Sequence, residues 1–398
     1  MRKPHILISG AGIGGLTAAL ALLRRGFDVD VYEQAAELKE VGAGVQISAN
    51  GTRGLYALGV GEALKTLAVE AEGKEIRLWS TGQTWKLFDL GVESIRLYGF
   101  PYFTVYRPDL HSVLADAVRA LKRDAIHLDA KCAGFAERGR EVVLQLHNGA
   151  EAVGDALIGA DGVHSVIRQA LFGADKPQFL GVIAWRGVAP IERLPAHMRR
   201  PVGTNWVGPG GHVVHYPLRA GRLMNFVGII ERSDWQIESW TVRGTKEECS
   251  NDLRGWNADV HALIGAIDVP YKWALMGRDP MDCWTRGRIT LLGDACHPML
   301  PLLAQGAVMA IEDGVVLGRC FEKYGDDVET ALSRYEEVRR ERANRAVRGS
   351  AENAKRFHNQ TLSDRAAAEA YIDREWNESR VKDRYEWLFR YDVTTVEI

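Results

Sequence analysis

Hydrophobic and polar positions change rhythm several times along this chain, and each change predicts an element. Residues 5–9, HILIS, form a short apolar run of strand length. After "GAGIGG" comes Leu16 to Leu23, small and apolar throughout, which reads as a tightly packed helix broken by Gly26. "FDVDVYE", 27–33, alternates apolar and polar residues with the period of a strand. Strand, helix and strand in that order make one βαβ unit.

The rhythm continues less regularly. A glycine-rich stretch at 41–50, "VGAGVQISAN", leads into a helix near 50–67. Short strands follow within 76–90. A helix over 105–121 carries Pro108 in its first turn and Arg107 at its mouth. "IHLDAKC", "EVVLQLHNG" and "DALIGADG" predict further strands, the last ending at Asp161-Gly162. Between about 175 and 278, "HVVHYPL" and "RLMNFVGII" alternate cleanly and predict an antiparallel sheet. A polar loop near 232–246 carries tryptophans, and helical patterning returns at 248–265. An apolar strand at 289–292 then runs into Gly293-Asp294, a loop with Pro298 and Pro301, and a helix opened by Gly306. Residues 327–350 are charged and helical, and the tail to 398 is rich in Arg and Glu. The expected fold is α/β with an inserted antiparallel sheet and a C-terminal helical region.

The chemistry starts in the first unit. Gly10 permits the tight turn, Gly12 lets backbone approach a pyrophosphate, and Gly15 allows close packing of helix on strand. The phosphates would sit at the helix N-terminus, where N–H groups lack partners and the dipole is positive. Glu33, at the end of the second strand, suits a ribose hydroxyl pair. Only one such fingerprint is present, so one tightly held dinucleotide is expected. The second strand–acid–helix unit, 289–314, then serves its far half. Asp294 suits a polyol chain, and the Gly306 helix would stabilise negative charge on a ring before it. These demands fit FAD rather than NAD.

Composition narrows the class. Of 398 residues 46% are hydrophobic and 26% charged, as in an ordinary globular protein, and the net charge of −2 offers nothing to nucleic acid or an anionic membrane. The five cysteines are scattered with no CxxC, which predicts neither disulfides nor a metal site and favours the cytoplasm. The strand begins directly after the N-terminus with no signal segment, and no apolar run reaches membrane length.

"GAGIGG…E" at 10–33, "GADGVHSVIR" at 159–168 and "GDACHP" at 293–298 resemble the three signatures of the single-component FAD-dependent aromatic hydroxylases. "VGAGVQ", "PYFTVYRPDLH", "AWRG", "HYPLR" and "LAQGAVMAIED" resemble the salicylate hydroxylase and 3-hydroxybenzoate 6-hydroxylase branch. The resemblance implies FAD as prosthetic group, NADH or NADPH as transient reductant, and O2 and a small hydroxylated aromatic acid as substrates. It implies a discontinuous Rossmann-like FAD-binding domain (1–73, 98–174, 279–325), a substrate domain (74–97, 175–278) and a helical region (326–398). A homodimer is left open. Glu33 would bind the adenosine ribose and Arg107 would contact FAD. Asp161 would serve FAD and the nicotinamide, Asp294 would hold the ribityl hydroxyls, and Pro298 would border the ring. Ile13, Gln34 and Ala307 join the glycines as cofactor-binding positions.

Hydroxylation is electrophilic, so a phenolic substrate needs a base near its hydroxyl. His212 and Tyr216 lie four apart on an alternating strand and share a face, while His215 points the other way. The resemblance places that His and Tyr in the substrate pocket. His297 reads as a loop-positioning residue and Cys296 as buried and inert. Pro301 and Leu302 stand where 3-hydroxybenzoate and 6-hydroxynicotinate hydroxylases carry polar residues, which favours salicylate. Trp185 and Trp206 are candidate ring walls. Two other classes share the first βαβ unit: an NAD-dependent dehydrogenase and a flavin redox protein that does not hydroxylate.

Overall fold

The computed structural model describes residues 3–38, 42–174, 177–234 and 242–398. Most of the polar loop expected near 232–246 lies outside them. One six-stranded sheet is built around His5–Ser9, flanked by Asp28–Tyr32 and Ala156–Gly159. Ile126–His127 extends it on one side, and Ile289–Leu291 with Thr285–Arg286 on the other. All pairings are parallel except that of Thr285–Arg286. Ile6, Leu7 and Ile8 are fully buried, which explains the unbroken apolar run.

The helix Ile13–Leu23 packs against the 19-residue helix Gly306–Tyr324. A Cβ on Gly314 would lie 2.7 Å from the Ala18 nitrogen, and one on Gly318 2.8 Å from the Ala21 Cβ. Small residues on both helices therefore set the close approach. The two glycine-led helix starts open onto one cavity as a result.

A seven-stranded sheet runs in the order Tyr271–Gly277, Gln178–Pro190, Leu223–Glu231, Gly211–Leu218, Val202–Gly208, Gly73–Leu78, Thr84–Asp89. It is antiparallel as expected, with one exception: Val202–Gly208 and Gly73–Leu78 pair in parallel. They are far apart in sequence, so no hairpin dictates their direction. The pleat sorts the side chains. Trp206, Val213 and Phe226 pack under the helices Lys246–Asp252 and Ala258–Ala266 in a second core. His212, Val214, Tyr216, Val227 and Ile229 face the cavity.

Several expected elements are subdivided. The helix near 50–67 is two, Ala49–Ala57 and Gly61–Lys65, because Gly59 turns the chain at φ +76°. The helix expected at 248–265 is also two, separated at Gly255 (φ +84°) and restarted by the Asn257 cap. The 126–132 strand divides between the central sheet and Cys132–Arg138, which joins Glu141–Leu146 and Glu151–Gly154 in a small antiparallel sheet. The charged helix runs longer than expected, Val328–Phe357, and Arg365–Glu375 and Glu378–Phe389 follow it. Among the described residues no helix is long and apolar enough to cross a membrane.

Candidate active site

A cavity of about 330 Å³ lies between the two sheets. One side is backbone-rich: Gly12, Ile13 and Gly14 from the first helix start, Gly306 and Ala307 from the later one, and Gly162. Neither helix has a side-chain cap or an acidic residue in its first turn. Both positive ends thus stay available to an anionic or electron-rich ligand. A Cβ on Gly12 would meet nothing within 4 Å, so that position opens to the cavity. A Cβ on Gly15 would lie 2.0 Å from the Gly10 carbonyl oxygen, and one on Gly10 2.4 Å from that of Ala160. Gly12 faces the ligand space, while Gly10 and Gly15 make the turn and the packing beneath it.

Glu33 follows the strand Asp28–Tyr32, and its two oxygens accept from the Ala11 and Ala35 N–H groups at 2.8 and 2.9 Å. It braces the glycine turn, and each oxygen keeps a further lone pair. Gln34 beside it is exposed. Arg107 begins the helix Arg107–Leu121 and lines the cavity, as does Asp294, which is exposed within a short 3₁₀ turn. The Asp161 carboxylate turns instead to the helix Val166–Phe172, accepting from the Val166 N–H at 2.7 Å and from the Ser165 hydroxyl. Burial raises its pKa despite these bonds. Pro298 stands just outside the lining, next to Met299.

The space runs from one helix start past Asp294 to the other, which suits an elongated dinucleotide such as FAD. Residues 3–350 match the FAD binding domain family. The chain belongs to that family. The flavoprotein is 38% identical over 394 residues to the 3-amino-4-hydroxybenzoate 2-monooxygenase PtnB3 of Streptomyces platensis, covering 99% of this chain and 98% of the relative. It is 37% identical to the 6-hydroxynicotinate 3-monooxygenase of Pseudomonas fluorescens, covering 100% and 97%. Klebsiella pneumoniae HpxO, solved with FAD and uric acid, superimposes with a TM-score of 0.83 at 28% identity over 96% of each chain. These relationships place the flavoprotein among the FAD-dependent aromatic monooxygenases.

The other side of the cavity belongs to the seven-stranded sheet. His212 and Tyr216 both line it, as their spacing predicts, and His215 faces away. Burial pushes the Tyr216 phenol well up, so it is a neutral hydroxyl. Burial also lowers His212, with His358 adding to the effect. His212 Nδ1 lies 2.7 Å from His358 Nε2, and His358 Nδ1 lies 3.3 Å from Glu231 Oε1. A carboxylate only accepts, so His358 carries its proton on Nδ1 and must accept at Nε2. His212 then donates from Nδ1 and keeps a lone pair on Nε2.

Gly44 of "VGAGVQ" lets the strand Gly44–Ile47 lie on this wall. A Cβ there would sit 2.6 Å from the Tyr216 ring, and the Gly44 N–H donates to Asn225 Oδ1 at 2.8 Å. From that strand, Gln46 accepts from the Tyr102 hydroxyl at 2.9 Å and hydrogen-bonds Tyr216.

Trp185 and Trp206 do not wall the cavity. Both are fully buried in the second core, on the sheet's opposite face, where the pleat places them. Pro301 does line the cavity, but Leu302 belongs to a smaller pocket beside it. His297 positions the loop: its Nε2 lies 2.6 Å from Asp313 Oδ2, and Asp313 Oδ1 accepts from Arg339 at 2.8 Å. Arg339 and Arg342 both pair with Glu312, which accepts from Asn50. Burial pushes the thiol pKa of Cys296 well up, leaving it inert. Arg168 ties two signatures together by donating to the Val163 and Ala295 carbonyls.

Gln46, His358 and the Asp313–Arg339 contact were not legible beforehand. Gln46 sits inside a quoted motif without a chemical cue. Arg339 lies on the helix Val328–Phe357 and His358 caps its end, and the charge pattern of that helix reads as a solvated face.

Proposed function

We propose that the flavoprotein hydroxylates a monocyclic aromatic acid that already carries a ring hydroxyl, with NADH or NADPH as reductant and O2 as oxygen donor. The placement of His212 and Tyr216 on one face of one strand, on the cavity that also receives both glycine-led helices, carries this reading. The relatives named above act on such acids, as their names state.

FAD, reduced by NADH or NADPH, would when bound activate O2 so that one oxygen atom reaches the ring as an electrophile and the other leaves as water, and the chain supplies the rest. Its Gly12 and Gly306 helix starts orient the cofactor, with Asp294 and Arg107 alongside. Tyr216 donates to the substrate oxygen. The His212 Nε2 lone pair accepts the phenolic proton, which raises the electron density of the ring where oxygen arrives. Positive charge arriving on His212 is shared through His358 toward Glu231, which is half-exposed and can release a proton to solvent.

Pro301 gives the cavity an apolar edge, and salicylate is the first substrate to test. Carboxyl-labelled salicylate should release its label as CO2 and leave catechol. Label retained in a dihydroxybenzoate would reject salicylate-type attack. Silence of NADH oxidation toward salicylate, 3-hydroxybenzoate and 6-hydroxynicotinate alike would reject the substrate class. The five unpaired cysteines fit a cytoplasmic enzyme.

A further inference from the structure

Beside the main cavity lies a side pocket of about 60 Å³ that none of the roles above uses. The two spaces share Gln46, His212, Val214, Pro301 and Ala304 in their walls, so they adjoin across these residues. Its size matches about two waters at liquid density, or one small polar group.

Lys74 lines this pocket. It lies on the strand Gly73–Leu78, opposite Gly203 of the neighbouring strand. Gly203 carries no side chain, and a Cβ there would already lie 3.4 Å from Lys74 Cγ and 3.9 Å from Gln46 Oε1. The glycine leaves room for the lysine stem to run toward Gln46. The ammonium sits 4.8 Å from the centre of the Tyr102 ring and 5.9 Å from that of Phe88. Among the described residues no carboxylate pairs with it. Its neighbour Glu75 is committed to Arg77 at 2.9 Å and Arg200 at 2.6 Å. Burial without a countercharge pulls the Lys74 pKa down to about 7. Two aromatic faces soften the cost of that cation but do not remove it.

A partly buried cation without an anion, lining the same pocket as His212, is half of an ion pair whose other half arrives with the substrate. We propose that Lys74 anchors the substrate's carboxylate in the side pocket, so that the aromatic ring lies in the main cavity with its hydroxyl on His212 and Tyr216. The proposal rests on the aromatic-acid reading and adds the group that fixes which ring carbon faces the flavin. A carboxylate against Lys74 leaves the ring one rotational freedom, and the hydroxyl contact removes it.

The other titratable groups around the two pockets do not change charge near neutrality. Burial lowers His212 and His358, and raises Tyr102, Tyr216 and Tyr385. Glu75 stays ionised because its arginines outweigh its burial. A pH dependence of acid binding between 6 and 9 therefore reports Lys74.

The test uses FAD-loaded protein, with salicylate, 3-hydroxybenzoate and 6-hydroxynicotinate as acid probes and salicylamide as the uncharged control. Binding is read from the flavin absorbance. Lys74→Met should weaken acid binding about 10- to 100-fold, the loss of one charge-assisted contact, with salicylamide binding and FAD content unchanged. Acid binding to the wild type should weaken as pH rises through the neutral range, and that slope should vanish in Lys74→Met. Equal acid affinity in wild type and variant overturns the anchor alone. Equal losses for acid and amide also overturn it, by making Lys74 a packing residue. A wild type that binds none of the three acids overturns the aromatic-acid reading and the anchor with it.

Discussion

His212 Nδ1 lies 2.7 Å from His358 Nε2, joining a sheet strand to the end of the 30-residue helix Val328–Phe357. The contact fixes which nitrogen of His212 faces the cavity with a lone pair. Replacing His212 with Ala should slow hydroxylation by about 10²–10⁴ while FAD stays bound. Replacing His358 with Asn should cost less, and should change the pH profile rather than abolish turnover. Both histidines are lowered from their usual value by burial, so they are neutral at pH 7. Activity should then persist below pH 6.5 in the wild type and fall only as His212 takes up a proton. A wild-type acid limb at or above 6.5, or a His212→Ala variant with full coupled turnover, would remove His212 as the base.

Gly12 and Gly15 belong to one motif and should fail differently. Gly12→Ala places its methyl in open space where a pyrophosphate would lie. The protein should fold with unchanged thermal stability and bind FAD weakly. Gly15→Ala drives a methyl to 2.0 Å from the Gly10 carbonyl oxygen, so folding itself should suffer. Parallel melting curves and FAD titrations on the two variants separate these outcomes, and normal FAD affinity in Gly12→Ala would place the phosphates elsewhere.

Asp294 lines the cavity between the two helix starts, where its carboxylate can accept hydrogen bonds from hydroxyls. Asp294→Ala should reduce FAD affinity by about 1.5–3 kcal/mol per lost bond, or about 10- to 150-fold. Equilibrium dialysis against FAD measures it. Undiminished occupancy in the folded variant would take Asp294 out of the ribityl site.

The buried group His297, Asp313, Arg339 and Glu312 should govern acid stability. Burial alone would raise both acids, but His297 and Arg339 bring Asp313 below its usual pKa, and Arg342 and Arg339 do the same for Glu312. With folded values depressed, the stabilisation is complete above the unfolded carboxylate range near 4 and lost as pH falls through the lower folded values. Denaturant midpoints should be level at neutral pH and decline below about 4. Arg339→Met removes the cation the two carboxylates share, leaving Asp313 with His297 and Glu312 with Arg342, and should cost about 3–5 kcal/mol at pH 7. A loss below 1 kcal/mol would show that the network contributes little.

The sequence by itself determined the parts whose chemistry is local. Strand, glycine turn and helix occupy consecutive residues at 5–33, so the backbone demands at Gly10, Gly12 and Gly15 are written in order. The same holds for Asp294 before the Gly306 helix, and for His212 and Tyr216, because a pleat repeats every two residues. Where only burial decides, the sequence was silent or misleading. Trp185 and Trp206 look like ring walls in one dimension, and parity puts them on the far face. Leu302 looks like cavity lining, and one step of backbone rotation turns it into the side pocket. His358 meets His212 across 146 positions, and Lys74 meets an emptied space because Gly203 lies opposite it. Such contacts depend on how sheets and helices stack, and stacking follows the summed apolar area of many residues rather than the identity of any one. Tertiary structure alone therefore decided which polar side chains share the cavity, which are paired beneath it, and which cation is left waiting for a charge.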